Sequence, residues 1–218
     1  MNLNAKTVTV LKNFSQINPD IVIKEGSTLS TMSINKTIVA RANVSDNFPR
    51  RAALHLNKFI NSVTSYEQPI ISFEDNNVLI SGSNSGEKSK LTYVNEDTIK
   101  QPPEKAINLP SIDATCRITA DAMKSVERQL GILGLPEIAV VGDSEKIYLQ
   151  AVDSKNPTSD VFSIEIGSSD KKFRAIFKSE NMKIISGDYD VDICSRGISH
   201  FRGAEVEYWI AVEQHSTF

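Results

Sequence analysis

The order of secondary-structure signals repeats once along the chain, and this repetition constrains the fold more than any other feature of the sequence. In each half, a helical pattern precedes three short β-type segments, a second helical segment or turn, and three further β-type segments. The second half adds a leading strand, and its second helix is nearly absent. A period of about 105 residues is too long for a solenoid and indicates two similar domains.

A polar stretch without periodicity separates the two halves. Residues 95–110, NEDTIKQPPEKAINLP, contain three prolines, and we interpret the stretch as an interdomain linker. The predicted domains are residues 1–95 and 111–218, joined by a linker at 96–110. Helices paired on antiparallel sheets predict the α+β class.

Three segments have the periodicity of amphipathic helices, at residues 4–17, 50–64 and 120–133. Pro49 is a start signal for the second helix, and Thr119 is a capping residue for the third. The apolar faces of the first two comprise Val8, Leu11, Phe14 and Ile17, and Leu56, Phe59, Ile60 and Val63. The opposite face of the second comprises Arg51, His55, Lys58 and Ser62.

The first two helical segments contain no acidic residue, although about one residue in eight of the chain is Asp or Glu. A solvated helix usually mixes charges, because opposite charges four positions apart stabilise it. Residues 1–100 hold 11 basic and 9 acidic residues, whereas residues 101–218 hold 13 and 18. The acid-free faces therefore indicate a surface that meets a polyanion. Chance combined with ordinary lysine solvation is the alternative.

Export and metal binding have little support in the sequence. No apolar run approaches the ~20 residues that cross a bilayer, and the N-terminus lacks the apolar core of a signal peptide, so we expect a cytoplasmic protein. Cys116 and Cys194 do not have a metal-ligand spacing and are expected to be small buried residues within strands. A disulfide between them is the disfavoured alternative. No histidine pair has the spacing of a zinc site, and we expect no cofactor.

Two patterns bear a superficial likeness to catalytic motifs. Residues 82–89, GSNSGEKS, have only three residues between the glycines and place Glu87 before the lysine, so a hairpin turn is favoured over a phosphate loop. Asp188, Asp190 and Asp192 share one face of a strand. A metal-dependent hydrolase is one interpretation of these carboxylates, and an acidic solvent face is the favoured one. We expect no enzymatic activity.

Several groups of residues, taken together in order and spacing, are similar to one known family. They are Leu11-Lys12-Asn13-Phe14 with Ile17-Asn18 and Gly26; Ala42-Asn43-Val44-Ser45-Asp46 with Leu54, Leu56-Asn57 and Phe59; Asn181-Met182-Lys183-Ile184 with Gly187, Tyr189 and Val191; and Tyr208-Trp209-Ile210-Ala211-Val212-Glu213 with Ser216-Thr217-Phe218. These groups span nearly the whole chain. They resemble the sliding clamps of T-even-like bacteriophages, the processivity factors of DNA polymerase.

The resemblance implies a DNA-clamp fold in a three-subunit, head-to-tail ring of six similar domains. Helices would line the hole and sheets would form the outside. A clamp loader would open the ring on double-stranded DNA, the replicative DNA polymerase would bind through a short C-terminal peptide, and late-transcription factors would also bind. A non-enzymatic β-rich phage structural or interaction protein is the alternative.

The resemblance also implies roles for individual residues. The expected DNA-facing cations are Lys6, Lys12, Arg50, Arg51, Lys58, Lys124, Arg128, Lys178 and Lys183, and the second domain is expected to contribute less because acids share its helix. Residues 90–94 of one subunit would pair with residues 161–166 of the next, with Leu91, Tyr93, Phe162 and Ile164 in the joint. The expected partner-peptide pocket comprises Ile99, Ile107, Ile210 and Phe218.

Overall fold

The chain forms two compact units, unit 1 from Met1 to Glu104 and unit 2 from Lys105 to Phe218. The computed structural model describes residues 1–83 and 86–218. The change of unit falls inside the polar segment 96–110.

Unit 1 combines two α-helices and seven β-strands within its described residues. In chain order they are α1 (Ala5–Ile17), β1 (Asp20–Ile23), β2 (Gly26–Met32), β3 (Ile38–Phe48), β4 (Ala52–His55), α2 (Leu56–Thr64), β5 (Pro69–Phe73), β6 (Asn77–Gly82) and β7 (Lys88–Thr92). A 3-10 helix follows at Glu96–Thr98. The turn predicted at 82–86 includes Asn84 and Ser85, which lie outside the described residues.

Unit 2 contains one α-helix, eight strands and a short 3-10 helix. In chain order they are β8 (Ala114–Ile118), α3 (Ala120–Leu133), β9 (Glu137–Asp143), β10 (Lys146–Val152), β11 (Phe162–Ser168), β12 (Lys172–Lys178), the 3-10 helix (Ser179–Asn181), β13 (Tyr189–Cys194), β14 (Ile198–Arg202) and β15 (Val206–Ala211). In the described ranges of the chain, none of the helices has both the length and the apolar character needed to cross a bilayer.

The structure corrects one helix boundary. The helix predicted over residues 50–64 begins only at Leu56, and β4 precedes it as a strand that pairs antiparallel with β1. Ala52, Ala53 and Leu54 are all buried. Such a continuous apolar run suits a strand covered on both faces better than the one-sided pattern of a surface helix.

Both units share one plan. Each has a helix, four strands, a second helical segment and three strands, with β8 as the extra strand of unit 2. β1 pairs with β4 as β9 pairs with β12, and β2 pairs with β3 as β10 pairs with β11, all antiparallel. The last three strands of each unit pair consecutively. The plan is therefore duplicated, with four strands where the sequence indicated three, and the α+β class is confirmed.

In each unit the helices pack on strands, and the core of each unit contains buried aromatic rings. In unit 1, α1 packs on β2 and β3 beside α2, and Phe14 and Phe59 are fully buried. In unit 2, α3 packs on β10 and β11, and the rings of Phe177 and Phe201 meet edge to face at 5.9 Å. Burying a side chain of this size contributes roughly 1.5–3 kcal/mol, and this packing determines which helix faces stay exposed.

Both cysteines lie in strands of unit 2 as free thiols. Cys194 is buried in β13. Cys116 is only half-buried in β8, in contrast to the expectation, but burial of its thiol raises the pKa of that group to about 12. A thiol with so high a pKa stays protonated at neutral pH, so Cys116 behaves as a small apolar residue.

Candidate functional site

The exposed face of α1 carries lysine and uncharged polar side chains. The helix begins after Asn4, whose Oδ1 accepts a hydrogen bond from the Lys6 backbone N–H at 2.9 Å. Its apolar side buries Leu11 and Phe14 in the core. The opposite side comprises Lys6, Thr9, Lys12 and Gln16, all at least partly exposed.

The exposed face of α2 extends that of α1, because the two helices lie side by side in unit 1. It comprises Asn57, Lys58, Asn61 and Thr64. Neither helix contains Asp or Glu. Within residues 1–83 and 86–218, neither Lys12 nor Lys58 has an ion-pair partner. Their charges are therefore available to a polyanion.

Arg50 and Arg51 lie outside α2, in contrast to the sequence interpretation, and each already contacts a carboxylate. Arg50 Nη2 lies 2.7 Å from Asp75 Oδ1. Arg51 binds Glu96 through two nitrogens, with the Nε–Oε2 distance at 2.7 Å. These hydrogen bonds raise the pKa of Arg51 and lower the pKa of Glu96. Much of the charge of both arginines is therefore offset within unit 1.

The exposed face of α3 has mixed charge. The helix starts at Thr119, whose Oγ1 accepts from the Ala122 N–H at 3.2 Å, and ends at Gly134 with φ +65°. Its exposed residues include Asp121, Lys124, Glu127, Arg128, Gly131 and Ile132. Two of them are acids, so this face attracts a polyanion less strongly than the face of α1 and α2.

The last two predicted cations lie around the 3-10 helix of unit 2. Lys178 is exposed at the end of β12, and Lys183 is half-buried two residues after the helix. Glu180, within the helix, lies between them in sequence. This segment therefore also mixes charges.

The two segments predicted to join subunits contain edge strands of their sheets. β7 is the outer strand of the sheet β5-β6-β7, and β11 is an outer strand of the sheet β11-β10-β9-β12. Leu91, Phe162 and Ile164 are half-buried on these strands, and Tyr93 is half-buried directly after β7. In the described part of the chain, no backbone hydrogen bond extends from the outer edge of either strand.

The four predicted pocket residues have different environments. Ile99 is buried against Val22 and Ala53 in unit 1. Ile107 is half-buried in unit 2. Ile210 is fully buried in β15 and offers no surface to a peptide, which corrects its predicted role. Phe218 is 44% exposed and stacks on Phe173 with 6.4 Å between ring centroids.

A groove of about 370 Å³ lies in unit 1 between the strands β1, β2 and β3 on one side and the segment 99–104 on the other. Val22, Thr31 and Arg41 contribute to one wall, and Pro102 contributes to the other. Lys24 Nζ lies 2.8 Å from Glu104 Oε1 and ties this segment to the strands. Sequence reasoning missed these residues. The neighbouring prolines 102 and 103 were the one local sign of an extended segment here.

The three alternating aspartates are engaged by arginines and a helix end. Arg117 binds Asp188 and Asp190 at 3.2 and 3.0 Å, and Arg202 binds Asp192. Asp188 also accepts a hydrogen bond from the first backbone N–H of α3, which is the main cause of the lowered pKa of Asp188. Among the described residues, no group of three or more His, Cys, Asp or Glu is arranged to hold a metal ion.

Comparison with known proteins identifies the family. Residues 115–214 match the family model for the gp45 sliding clamp, C terminal. The chain is 34% identical to a sliding clamp of Vibrio phage KVP40, over 98% of its own length and 99% of the relative's. The chain belongs to the sliding clamp family. A second sliding clamp, from Escherichia phage RB69, is 28% identical over 100% of this chain and 99% of that protein.

Solved structures show that this sliding clamp chain has the DNA-clamp fold. A. fulgidus PCNA, crystallised with the C-terminal region of FEN-1, matches with a TM-score of 0.67 at 12% identity, over 94% of both chains. The β subunit of DNA polymerase III from Pseudomonas aeruginosa matches with a TM-score of 0.67 at 10% identity, over 95% of this chain and 62% of that one. Identities this low establish the fold alone. The predicted family and fold class are both confirmed.

Proposed function

We propose that the chain is the processivity factor of a bacteriophage DNA polymerase, a homotrimeric ring that encircles double-stranded DNA in the host cytoplasm and has no catalytic activity. Family membership supports the general role. The observation that carries the proposal is the joint face of α1 and α2, which lacks acids and presents Lys12 and Lys58 without ion-pair partners in the described residues.

Lysines on such a face suit movement along DNA. Contacts to phosphates position a protein without reading sequence, and they weaken as salt competes for the phosphates. Long, mobile lysine side chains can exchange one phosphate for the next because no base contact fixes a register. Retention then depends on ring closure rather than on affinity.

We rank the proposed DNA-facing residues by the charges that surround each of them. Lys12 of α1 and Lys58 of α2 are expected to contribute most to DNA binding. Lys6 lies on the same face of α1 as Lys12. Unit 2 contributes more weakly because acids accompany its cations, which are Lys124, Arg128, Lys178 and Lys183. Arg50 and Arg51 contribute least, because Asp75 and Glu96 already offset their charges.

Ring closure is proposed to occur by pairing of β7 in one subunit with β11 in the next. Both are edge strands, and an unpaired edge favours strand addition. The exposed Lys88 and Lys90 of β7 face solvent, and β11 exposes Glu165. Leu91 and Tyr93 would meet Phe162 and Ile164. The charge of Glu165 is already offset by Lys146 Nζ at 2.6 Å, so the half-buried apolar residues make the two edges complementary. Because two different edges would join, the joint is head to tail.

The groove of unit 1 is the proposed docking site for the polymerase's C-terminal peptide. Its lining is mostly polar, with Val22 and the buried Ile99 among the apolar members, and it is bordered by Arg41 and by the Lys24–Glu104 ion pair. Ile107 and Phe218 of unit 2 remain proposed contacts of a partner peptide, separately from this groove. A clamp loader and late-transcription factors are the further proposed partners.

Topological retention tests this proposal without a loader. A linear duplex biotinylated at both ends is incubated with the protein, and streptavidin then blocks the ends. A ring that threaded onto the duplex should resist a high-salt wash and should be released when a restriction enzyme cuts the duplex. Equal dissociation from blocked and unblocked DNA would overturn the proposal.

Charge variants test the surface itself. Lys12→Glu combined with Lys58→Glu should reduce threading and lower the salt dependence of binding by about 0.9 in log–log slope for each phosphate that the protein no longer neutralises. Lys105→Glu combined with Lys155→Glu, at exposed loop positions of unit 2, is the charge-matched control and should behave as wild type. An equal effect of the control would show that net charge, not the face of α1 and α2, governs binding.

A further inference from the structure

Residues 213–218, here called the edge cap, run along the outer edge of β12 and satisfy the backbone groups at its centre. The Glu213 N–H donates to the Ile176 carbonyl at 2.8 Å, and the Ile176 N–H donates to Ser216 Oγ at 2.9 Å. Arg174 and Thr217 exchange two backbone hydrogen bonds at 2.8 and 2.9 Å. All four edge-facing backbone groups of Arg174 and Ile176 are therefore satisfied.

Side chains anchor the edge cap at two points. The Phe218 ring stacks on the buried Phe173 with an interplanar angle of 7°. His215 Nε2 lies 2.7 Å from Ser154 Oγ and 3.6 Å from a carboxylate oxygen of Glu137, which is itself buried. These contacts hold a segment whose backbone alone makes few hydrogen bonds.

The opposite edge of the same sheet is different. β11 is its other outer strand, and no backbone hydrogen bond extends from its outer edge among the described residues. One sheet thus has one capped and one open edge. Exposed edges are the sites at which sheets of different molecules join, and proteins control association by covering them.

We propose that the edge cap restricts the sheet β11-β10-β9-β12 to a single pairing edge, so that a second copy of the chain can join this sheet only at β11. This inference rests on the proposed closure through β7 and β11. Without the cap, β12 would offer another acceptor for β7 of a further copy. Each chain would then have one pairing edge more than the proposed ring uses, and assemblies would branch rather than close.

A triple variant detaches the cap with little change elsewhere. Ser216→Ala removes the acceptor for Ile176, Thr217→Pro removes one N–H donor, and Phe218→Ala removes the stacked ring. Gln214→Ala is the matched control, because Gln214 is exposed in the same segment and makes no hydrogen bond in the described structure. Hydrogen exchange measured by NMR should accelerate at least tenfold at the Arg174 and Ile176 amides in the triple variant and stay unchanged in the control.

Assembly is the decisive measurement. Light scattering across a concentration series should show species larger than the wild-type assembly for the triple variant alone. Adding the synthetic peptide EQHSTF should restore the wild-type mass, and adding Leu91→Ser in β7 should abolish the excess mass. The proposal would be overturned if the triple variant showed faster exchange at the Arg174 and Ile176 amides but the same mass distribution as wild type. If the triple variant no longer gives a folded circular dichroism spectrum, Phe218→Ala alone is judged by the same two measurements.

The outcomes separate this inference from the proposed ring. If the wild-type protein is a monomer and the triple variant forms larger species, the proposed ring is refuted and the proposed role of the edge cap is supported. If the wild-type protein is a trimer and the triple variant is also a trimer despite fast amide exchange at β12, the proposed ring is supported and the proposed role of the edge cap is refuted.

Discussion

The guanidinium of Arg51 donates hydrogen bonds to both carboxylate oxygens of Glu96, 45 residues further along the chain. This pair ties the segment that follows β7 to the residue that precedes β4. Three residues later, Ile99 is buried with Val22 and Ala53. The segment after Glu96 is therefore held to unit 1 first by an ion pair and then by an apolar anchor.

Glu96→Gln is expected to lower the free energy of unfolding by about 0.5–1 kcal/mol at pH 7. The effect is modest because the Arg51 and Glu96 side chains are 47% and 36% exposed, so water screens the pair. Folding lowers the pKa of Glu96. Its contribution is therefore present above the unfolded pKa of about 4.3 and disappears as the pH falls through the lower folded pKa.

Urea unfolding at pH 7 and at about pH 3 checks this expectation. Wild type and variant should differ at pH 7 and converge in acid. Glu67→Gln, which alters an exposed acid elsewhere in unit 1, should match wild type at both values. A difference that persists undiminished at low pH would show that the carboxylate charge is not its cause.

The helices α1 and α3 were the most predictable elements. α1 and α3 match their predicted bounds to within one residue, because each combines a regular apolar period with a capping side chain, Asn4 or Thr119. β4 was missed because three successive apolar residues fit both a buried strand and the start of a helix. Only the pairing with β1, which is remote in sequence, decides between them.

The candidate sites were less predictable than the elements. The groove in unit 1 depends on the contact between Lys24 and Glu104, which are 80 residues apart in sequence. No local sequence pattern predicts such a pair. Ile210 and Phe218 are both apolar and close in sequence, yet one is fully buried and the other is half exposed. Burial of this kind follows from packing and not from residue type.

Replacing Phe162 and Ile164 with Ala should weaken self-association roughly tenfold or more, because each truncation of an apolar anchor at an interface costs on the order of 1 kcal/mol. Both side chains are half-buried on the open edge strand β11. Sedimentation velocity across a dilution series measures the shift toward single chains. Ser163→Ala lies on the opposite face of the same strand and should leave the distribution unchanged. Equal association by all three proteins would exclude β11 from the joint.

Gly142→Ala should destabilise unit 2 by roughly 1–3 kcal/mol, the cost of overpacking a filled site. A Cβ at Gly142 would lie 2.5 Å from Cε1 of Phe173 and 2.7 Å from the Lys171 carbonyl oxygen. Gly167→Ala is the control, since no atom lies within 4 Å of its Cβ position, and it should change stability by less than about 0.5 kcal/mol. Equal urea midpoints for the two variants would contradict this account of Gly142.

The imidazole of His200 stacks on the indole of Trp209, with ring centroids 4.5 Å apart and planes 8° from parallel. Burial lowers the pKa of His200, against the opposing effect of the Glu207 carboxylate 2.9 Å from Nε2. A histidine whose pKa is lowered by folding disfavours the folded state as the pH falls below its unfolded pKa of about 6.5. Stability should therefore decline from that pH down to the folded pKa.

Trp209 is the one tryptophan of the sequence, so its fluorescence reports this stack alone. Protonated imidazole quenches indole emission, and the intensity should fall on acidification with a midpoint below about 6.5, the ordinary pKa of histidine. His200→Gln should remove the transition, and His215→Gln, in the edge cap, should retain it. A midpoint above that value in wild type would mean that the attraction of Glu207 outweighs desolvation and that folding raises the pKa of His200.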